Sequence, residues 1–102
     1  MKINNIYCGD CLEVMKLIDD KSVDMVLCDL PYGGVTACKW DKIISLKLLW
    51  KQYNRVIKDN GVIVLFSQQL FTTQLITSNV KYFKYCWYWV KNKGCNFQQA
   101  KK

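Results

Sequence analysis

Asp29-Leu30-Pro31-Tyr32-Gly33 sets a carboxylate, a rigid proline and an aromatic ring side by side, directly after the apolar run Val23–Cys28. That run is short and rich in β-branched and apolar residues, so it reads as a buried strand. The carboxylate and the ring then stand at the C-terminal end of a strand, the edge of an open α/β sheet at which ligands bind. The chemistry suited to such a cluster is activation of an amine. The exocyclic amine of a nucleobase is a poor nucleophile because its lone pair is delocalised into the ring. A carboxylate and a backbone carbonyl that both accept its N–H bonds draw the nitrogen toward a more nucleophilic geometry. Proline, with its locked φ, holds the preceding carbonyl at a fixed angle, and the aromatic ring offers a surface for stacking.

Asp29-Leu30-Pro31-Tyr32 resembles the Asp-Pro-Pro-Tyr signature of the DNA amino-methyltransferases, which modify adenine N6 or cytosine N4 with S-adenosylmethionine. The resemblance extends beyond the signature. Gly9-Asp10-Cys11-Leu12-Glu13-Val14-Met15 followed by Ser22-Val23-Asp24 is similar to the segment that precedes it in the permuted (β) class. Asn60-Gly61-Val62-Ile63-Val64-Leu65-Phe66 looks like that class's next strand, and Trp87-Tyr88-Trp89-Val90-Lys91 like a later aromatic strand. The likeness runs in order over nearly all of the 102 residues.

The resemblance implies a role for each matching position. Asp29 and the Leu30 carbonyl accept bonds from the target amine, Pro31 fixes that carbonyl, and Tyr32 stacks on a base flipped out of the duplex, which chemistry on a base inside a helix requires. Asp10 accepts a bond from the adenine amino group of the cofactor, the Cys11 amide reaches its ring, and Asp29 borders the same site. Trp89, with Lys91 two residues on, lies near the target base, and Lys39 joins them as a DNA-facing candidate. Aspartate at the head of the signature tilts the choice toward adenine. Enzymes of this kind belong to restriction-modification systems and phages.

Two departures qualify the likeness. Leu30 stands where the signature has its first proline, which loosens the loop. In the permuted class the Phe-x-Gly-x-Gly motif that holds the methionine part of the cofactor lies toward the C-terminus, and no Gly-x-Gly occurs here. The expected fold is therefore α/β, an incomplete Rossmann-like methyltransferase sheet, mainly parallel, without its cofactor-motif strands. Residues 1–91 would form a partial catalytic domain, and 92–102 a basic polar tail or a joint to a missing C-terminal half. Such a chain would be inactive alone and need a complementing chain, or would self-associate through the slot those strands leave.

Composition sets outer limits. The length fits one domain near the low end of typical size. No segment reaches ~18 consecutive apolar residues, and no charged-then-apolar leader opens the chain, so the expectation is a cytoplasmic protein with no membrane association. Fifteen basic and eight acidic residues leave a net charge of +7, all but one of the positive groups being lysine. That balance suits a polyanion such as DNA, although a lysine-rich surface also serves solubility. Of the six cysteines, Cys8 and Cys11 form a Cys-x-x-Cys. With no histidine and no second pair, reduced thiols acting as small apolar residues are favoured over a metal or redox site, and no metal is expected.

The elements that position these residues follow from periodicity. Residues 3–7 read as a short strand. Asp10 opens a helix with Glu13 completing a capping box and Leu12, Met15 and Ile18 on one face. Asp19-Asp20-Lys21-Ser22 is a polar turn before the strand Val23–Cys28, and residues 33–41 form a loop of the kind that carries function. Ile43, Leu46, Leu49, Trp50, Tyr53, Val56 and Ile57 mark a helix ending at Lys58-Asp59-Asn60-Gly61, where Asn-Gly permits a left-handed turn. Residues 62–66 are a second apolar strand, and 68–78 a helix weakened by its threonines. Residues 80–91 alternate as a strand with Phe83, Tyr85, Trp87 and Trp89 on one face, the first three read as core. Alternating strands and helices argue for βαβ units.

Each functional reading has a plainer rival. Asp29 alone would be a turn residue after a strand, Tyr32 a core aromatic, and Asp10 a helix cap bonding the Glu13 amide for about 1 kcal/mol. Beside the enzyme stand two further function classes: a non-enzymatic nucleic-acid-binding remnant of the same family, and a Cys-x-x-Cys metal or redox module.

Overall fold

Val23–Cys28 forms β1 and Ile57–Leu65 forms β2, and the two pair in parallel through Met25↔Val62, Val26↔Ile63, Leu27↔Val64 and Cys28↔Leu65. A parallel pair needs a crossover connection, and helix α2, Leu46–Val56, lies within it. In this computed structural model, residues 1–32 and 44–91 are described. Their other elements are α1, Cys11–Val14, which tightens into a 3₁₀ turn over Met15–Leu17; α3, Phe71–Ser78; and a second 3₁₀ turn over Val80–Tyr82. The described residues thus make a small α/β unit on a two-stranded parallel sheet. The expected loop at 33–41, with Lys39, and the expected tail at 92–102 lie outside them, as does Ile43.

The core follows from the period of α2. Leu49, Tyr53 and Val56, spaced four and three apart, are its buried positions, one face of a helix. Leu49, with 0% of its surface exposed, and Tyr53 cluster with Leu30, Phe71 and Leu75. Val26 and Cys28 from β1 and Ile63 and Leu65 from β2 pack against this cluster. Their alternate neighbours Met25, Leu27 and Val62 are each more than half exposed. The apolar run predicted a strand buried on both faces. Among the described residues the helical core covers one face of the sheet, so the strand alternates in burial despite its continuous apolarity.

Helix α2 ends at Val56, before the Lys58-Asp59-Asn60-Gly61 stop that its sequence predicts. The backbone turns extended at Ile57, so Lys58-Asp59-Asn60-Gly61 belongs to β2 and makes no left-handed turn. The expected glycine cap is replaced by donors from elsewhere in the chain. The Lys21 and Ser22 amides give 2.9 Å bonds to the Arg55 and Val56 carbonyls, meeting acceptors that a helix end leaves orphaned. Val23 then pairs with Ile57, and the register shifts before Met25 meets Val62. Only Asp24 lies opposite Lys58, Asp59, Asn60 and Gly61, and its carboxylate bonds Lys58 Nζ at 2.9 Å.

This irregularity explains the glycine. A Cβ on Gly61 would lie 2.6 Å from Ile57 Cγ1 and 3.0 Å from the Asp24 carbonyl oxygen. Gly61→Ala is expected to cost about 1–3 kcal/mol as an overpacked site. Urea unfolding should show a lower midpoint with an unchanged slope; a midpoint equal to that of the parent would mean that the strands separate there freely.

Two expected strands do not form. Residues 3–7 have no ladder partner, and Ile3 and Ile6 are exposed. Residues 83–91 continue from the second 3₁₀ turn without pairing, and Phe83, Tyr85 and Trp87 are exposed rather than core. Alternation is a property of one segment, whereas a strand exists only where a second backbone offers a matching edge. Residues 3–7 do not pair with β1, whose only described ladder is with β2.

At the N-terminal helix the cap is Asp10, as expected, but the reciprocal box is not made. Asp10 Oδ1 accepts from the Leu12 amide at 2.8 Å rather than from Glu13, and the Glu13 carboxylate pairs with Lys16 Nζ at 3.1 Å. A helix of one turn gives Glu13 a nearer cation than the amide behind it. Leu12 and Met15 do pack against the core.

Candidate functional site at the C-terminal ends of the strands

The ladder closes with a 3.1 Å bond from the Phe66 amide to the Cys28 carbonyl. Beyond it the chain leaves the sheet with Asp29 exposed, Leu30 buried, and Pro31 and Tyr32 half-buried. Leu30 is a member of the core cluster, with 5% of its surface exposed. Leu30 therefore ties this segment down by burial.

Tyr32 reaches back across this turn, its hydroxyl donating to Asp29 Oδ1 at 3.3 Å. Its ring stacks on Phe71 at 5.3 Å between centroids and 26° between planes. Phe71 is buried at the start of α3, so the plainer reading of Tyr32 as a core aromatic is met in part. Phe71 takes one face of the ring, leaving at most one open. Burial first, then the Asp29 carboxylate, pushes the Tyr32 hydroxyl above its usual range, so at neutral pH it stays protonated and remains a donor.

Asp10 and Cys11 approach the same end of the sheet. The Tyr53 hydroxyl is raised well above its usual range by burial first, then by Cys28, and also feels Cys11. The Cys11 thiol is raised by burial, then by Asp10 and by Cys28. Cys11, Cys28 and Tyr53 therefore form one neighbourhood linking the start of α1 to the last residue of β1, next to Asp29. A thiol pushed upward is the reverse of an activated one, which disfavours a redox role for Cys11. Cys8 and Cys11 are both free thiols. Among the described residues no group of three His, Cys, Asp or Glu is arranged to hold a metal.

Trp89 joins this end through Phe66, the residue after β2, in an edge contact of 6.2 Å. Lys91 Nζ lies 5.6 Å from the centre of the Trp89 ring. Of the residues singled out in the sequence, Asp29, Leu30, Pro31 and Tyr32 follow the end of β1 and Trp89 meets Phe66 just after β2, with Lys91 on Trp89, while Cys11, next to Asp10, interacts electrostatically with Cys28 at the end of β1. Lys39 falls outside the described residues. Sequence reasoning missed the supports: Phe71 behind Tyr32, Tyr53 beneath Cys28, and Phe66 against Trp89. Only Tyr53 carried a signal, as the one phenol on the apolar stripe of α2.

No helix of the described residues is long and apolar enough to cross a membrane. Comparisons with protein-family models, with curated proteins and with solved structures return no match to this chain.

Proposed function

We propose that this chain is the catalytic portion of a DNA methyltransferase, with adenine N6 as the favoured target, built on part of a Rossmann-like sheet. The observation that carries the reading is the position of Asp29-Leu30-Pro31-Tyr32 immediately after a strand of a parallel pair, with the carboxylate exposed and Leu30 buried beneath it. Asp29 and the Leu30 carbonyl accept the two N–H bonds of the target amine, which frees its lone pair for attack. The proton need not leave before the methyl arrives. Tyr32 holds one Asp29 oxygen by its hydrogen bond, steadying the carboxylate while the other oxygen faces the amine.

The residues present suit part of the cofactor. Asp10 spends one oxygen on the Leu12 amide and has a second for the adenine amino group, beside the Cys11 amide. S-adenosylmethionine, when bound, supplies a methyl group on a sulfonium. The methionine end has no counterpart in the sequence, so a complementing polypeptide carrying Phe-x-Gly-x-Gly is part of the proposal. A second reading, a nucleic-acid-binding remnant without chemistry, is favoured by the exposed aromatic residues after α3.

The test is product analysis. Duplex DNA is incubated with methyl-labelled cofactor and this chain, alone and with the complementing polypeptide. Labelled N6-methyladenine should form only in the complemented reaction. A complemented mixture that binds cofactor and DNA yet transfers no label would leave the remnant reading in place.

A further inference from the structure

Charge is distributed unevenly along this chain. All eight acidic residues lie at or before Asp59, whereas six of the fifteen basic residues, Lys81, Lys84, Lys91, Lys93, Lys101 and Lys102, follow it. Six of the seven net positive charges therefore belong to the stretch after Asp59. That stretch also holds the largest run of exposed aromatic surface. Trp87, Tyr88 and Trp89 are 81%, 87% and 75% exposed, with Tyr85 beside them. A contiguous apolar surface of this kind marks an interaction site.

Two geometric facts narrow the partner. Residues 83–91 lie outside helix and strand and are all exposed, so neither helix nor sheet covers their rings. The Tyr85 and Trp87 rings sit 6.2 Å apart with their planes tilted by 37°. Cations are seated on rings of the same run, Lys91 on Trp89 and Lys81 on Tyr82 at 5.5 Å. Rings that each base can stack on, interleaved with ammonium groups that meet each phosphate, are what a single strand requires. A duplex keeps its base faces inside its own stack. A second copy of this chain would bring one acid-free lysine-bearing stretch against another, and like charges disfavour that approach.

We propose that residues 81–91 form a stacking strip for single-stranded nucleic acid, with Tyr85, Trp87 and Tyr88 taking the bases and Lys81, Lys84 and Lys91 the phosphates. The strip depends on no step of methyl transfer. It shares with the proposed enzyme a nucleic-acid partner and Lys91, whereas Tyr85, Trp87, Tyr88, Lys81 and Lys84 belong to the strip alone.

The test uses the whole 102-residue chain without cofactor, and reads fluorescence anisotropy of a labelled oligothymidine of about 20 nucleotides and of a duplex of equal length. The single strand should bind more tightly than the duplex. Trp87→Ala and Tyr88→Ala should each weaken it about fivefold or more, while Trp87→Phe, which keeps a ring, should bind within about twofold of the parent. Lys84→Gln should lower the slope of log affinity against log salt by about 0.7, the value for one phosphate contact on a single strand. These side chains are exposed, and unchanged circular dichroism would show that the variants fold. Equal binding by Trp87→Ala and the parent would overturn the strip and leave net charge as the cause. Preference for the duplex would also overturn it, as would light scattering that shows a dimer with its tryptophan emission shifted on association. Loss of oligothymidine binding in Trp87→Ala together with normal methyl transfer in the complemented reaction would separate this site from the catalytic one.

Discussion

Asp29→Ala is expected to lower methyl transfer in the complemented reaction by about 10²–10⁴-fold, the range for removing a positioned acid-base group. The carboxylate is exposed at the end of β1, and its side chain makes one bond within the described residues, from the Tyr32 hydroxyl at 3.3 Å. Losing an exposed bond of that length costs at most about 1 kcal/mol, so the fold should persist. The proposed role has Asp29 act on the reacting amine, so the loss should fall on kcat, with the KM for DNA little changed. Asp29→Asn separates charge from shape, since an amide oxygen still accepts one N–H bond; it should recover part of the rate. Label incorporation and circular dichroism measured on the same samples check this. An alanine variant that keeps most of the activity while the parent is active would end the assignment of Asp29.

Arg55→Ala should produce the largest loss of stability among the polar substitutions. The guanidinium of the chain's sole arginine binds three elements together. One terminal nitrogen, Nη2, donates to the Met15 carbonyl at 2.7 Å, while Nη1 donates to the Ile18 carbonyl at 2.7 Å and to Asp20 at 2.6 Å. The Gln52 side chain holds the same group from one turn back on α2. Met15 and Ile18 bracket the 3₁₀ turn that follows α1, so its carbonyls find donors on α2. Charge-assisted bonds contribute about 1.5–3 kcal/mol each, and allowing for their shared donor the variant should lose about 2–4 kcal/mol. Arg55→Lys should recover little, because a compact ammonium cannot reproduce a planar fork across separate acceptors. Urea unfolding checks the magnitude, and hydrogen exchange at residues 15–22 checks the place. A lysine variant as stable as the parent would mean that a single cation suffices.

The consequence of that arginine reaches the candidate site. Arg55 pins the turn after α1, and Lys21 and Ser22 from the next turn cap α2. Together they fix where α1 begins relative to β1, and so where Asp10 and Cys11 stand relative to Asp29.

Elements whose evidence is local were legible in the sequence. β1 begins and ends where its apolar run does, because the polar turn before it and Asp29 after it mark both boundaries. The buried face of α2 follows from the spacing of Leu49, Tyr53 and Val56, and the Asp10 cap from a side chain two residues from the amide it accepts. The position of Asp29-Leu30-Pro31-Tyr32 directly after β1 was equally legible, since these residues are contiguous with the apolar run that precedes them. The tertiary structure decided whatever needed a second segment. It ended α2 at Val56 through amides of residues 21 and 22, left residues 3–7 and 83–91 without a ladder, and turned the expected core aromatics Phe83, Tyr85 and Trp87 outward. It also set Phe71 behind Tyr32 and gave Arg55 its carbonyls. A helix cap or an apolar stripe is encoded within a few residues and survives any global arrangement. A strand pair, a stacked ring or a bridging guanidinium exists only when two distant stretches meet, and no periodicity within one stretch carries that information.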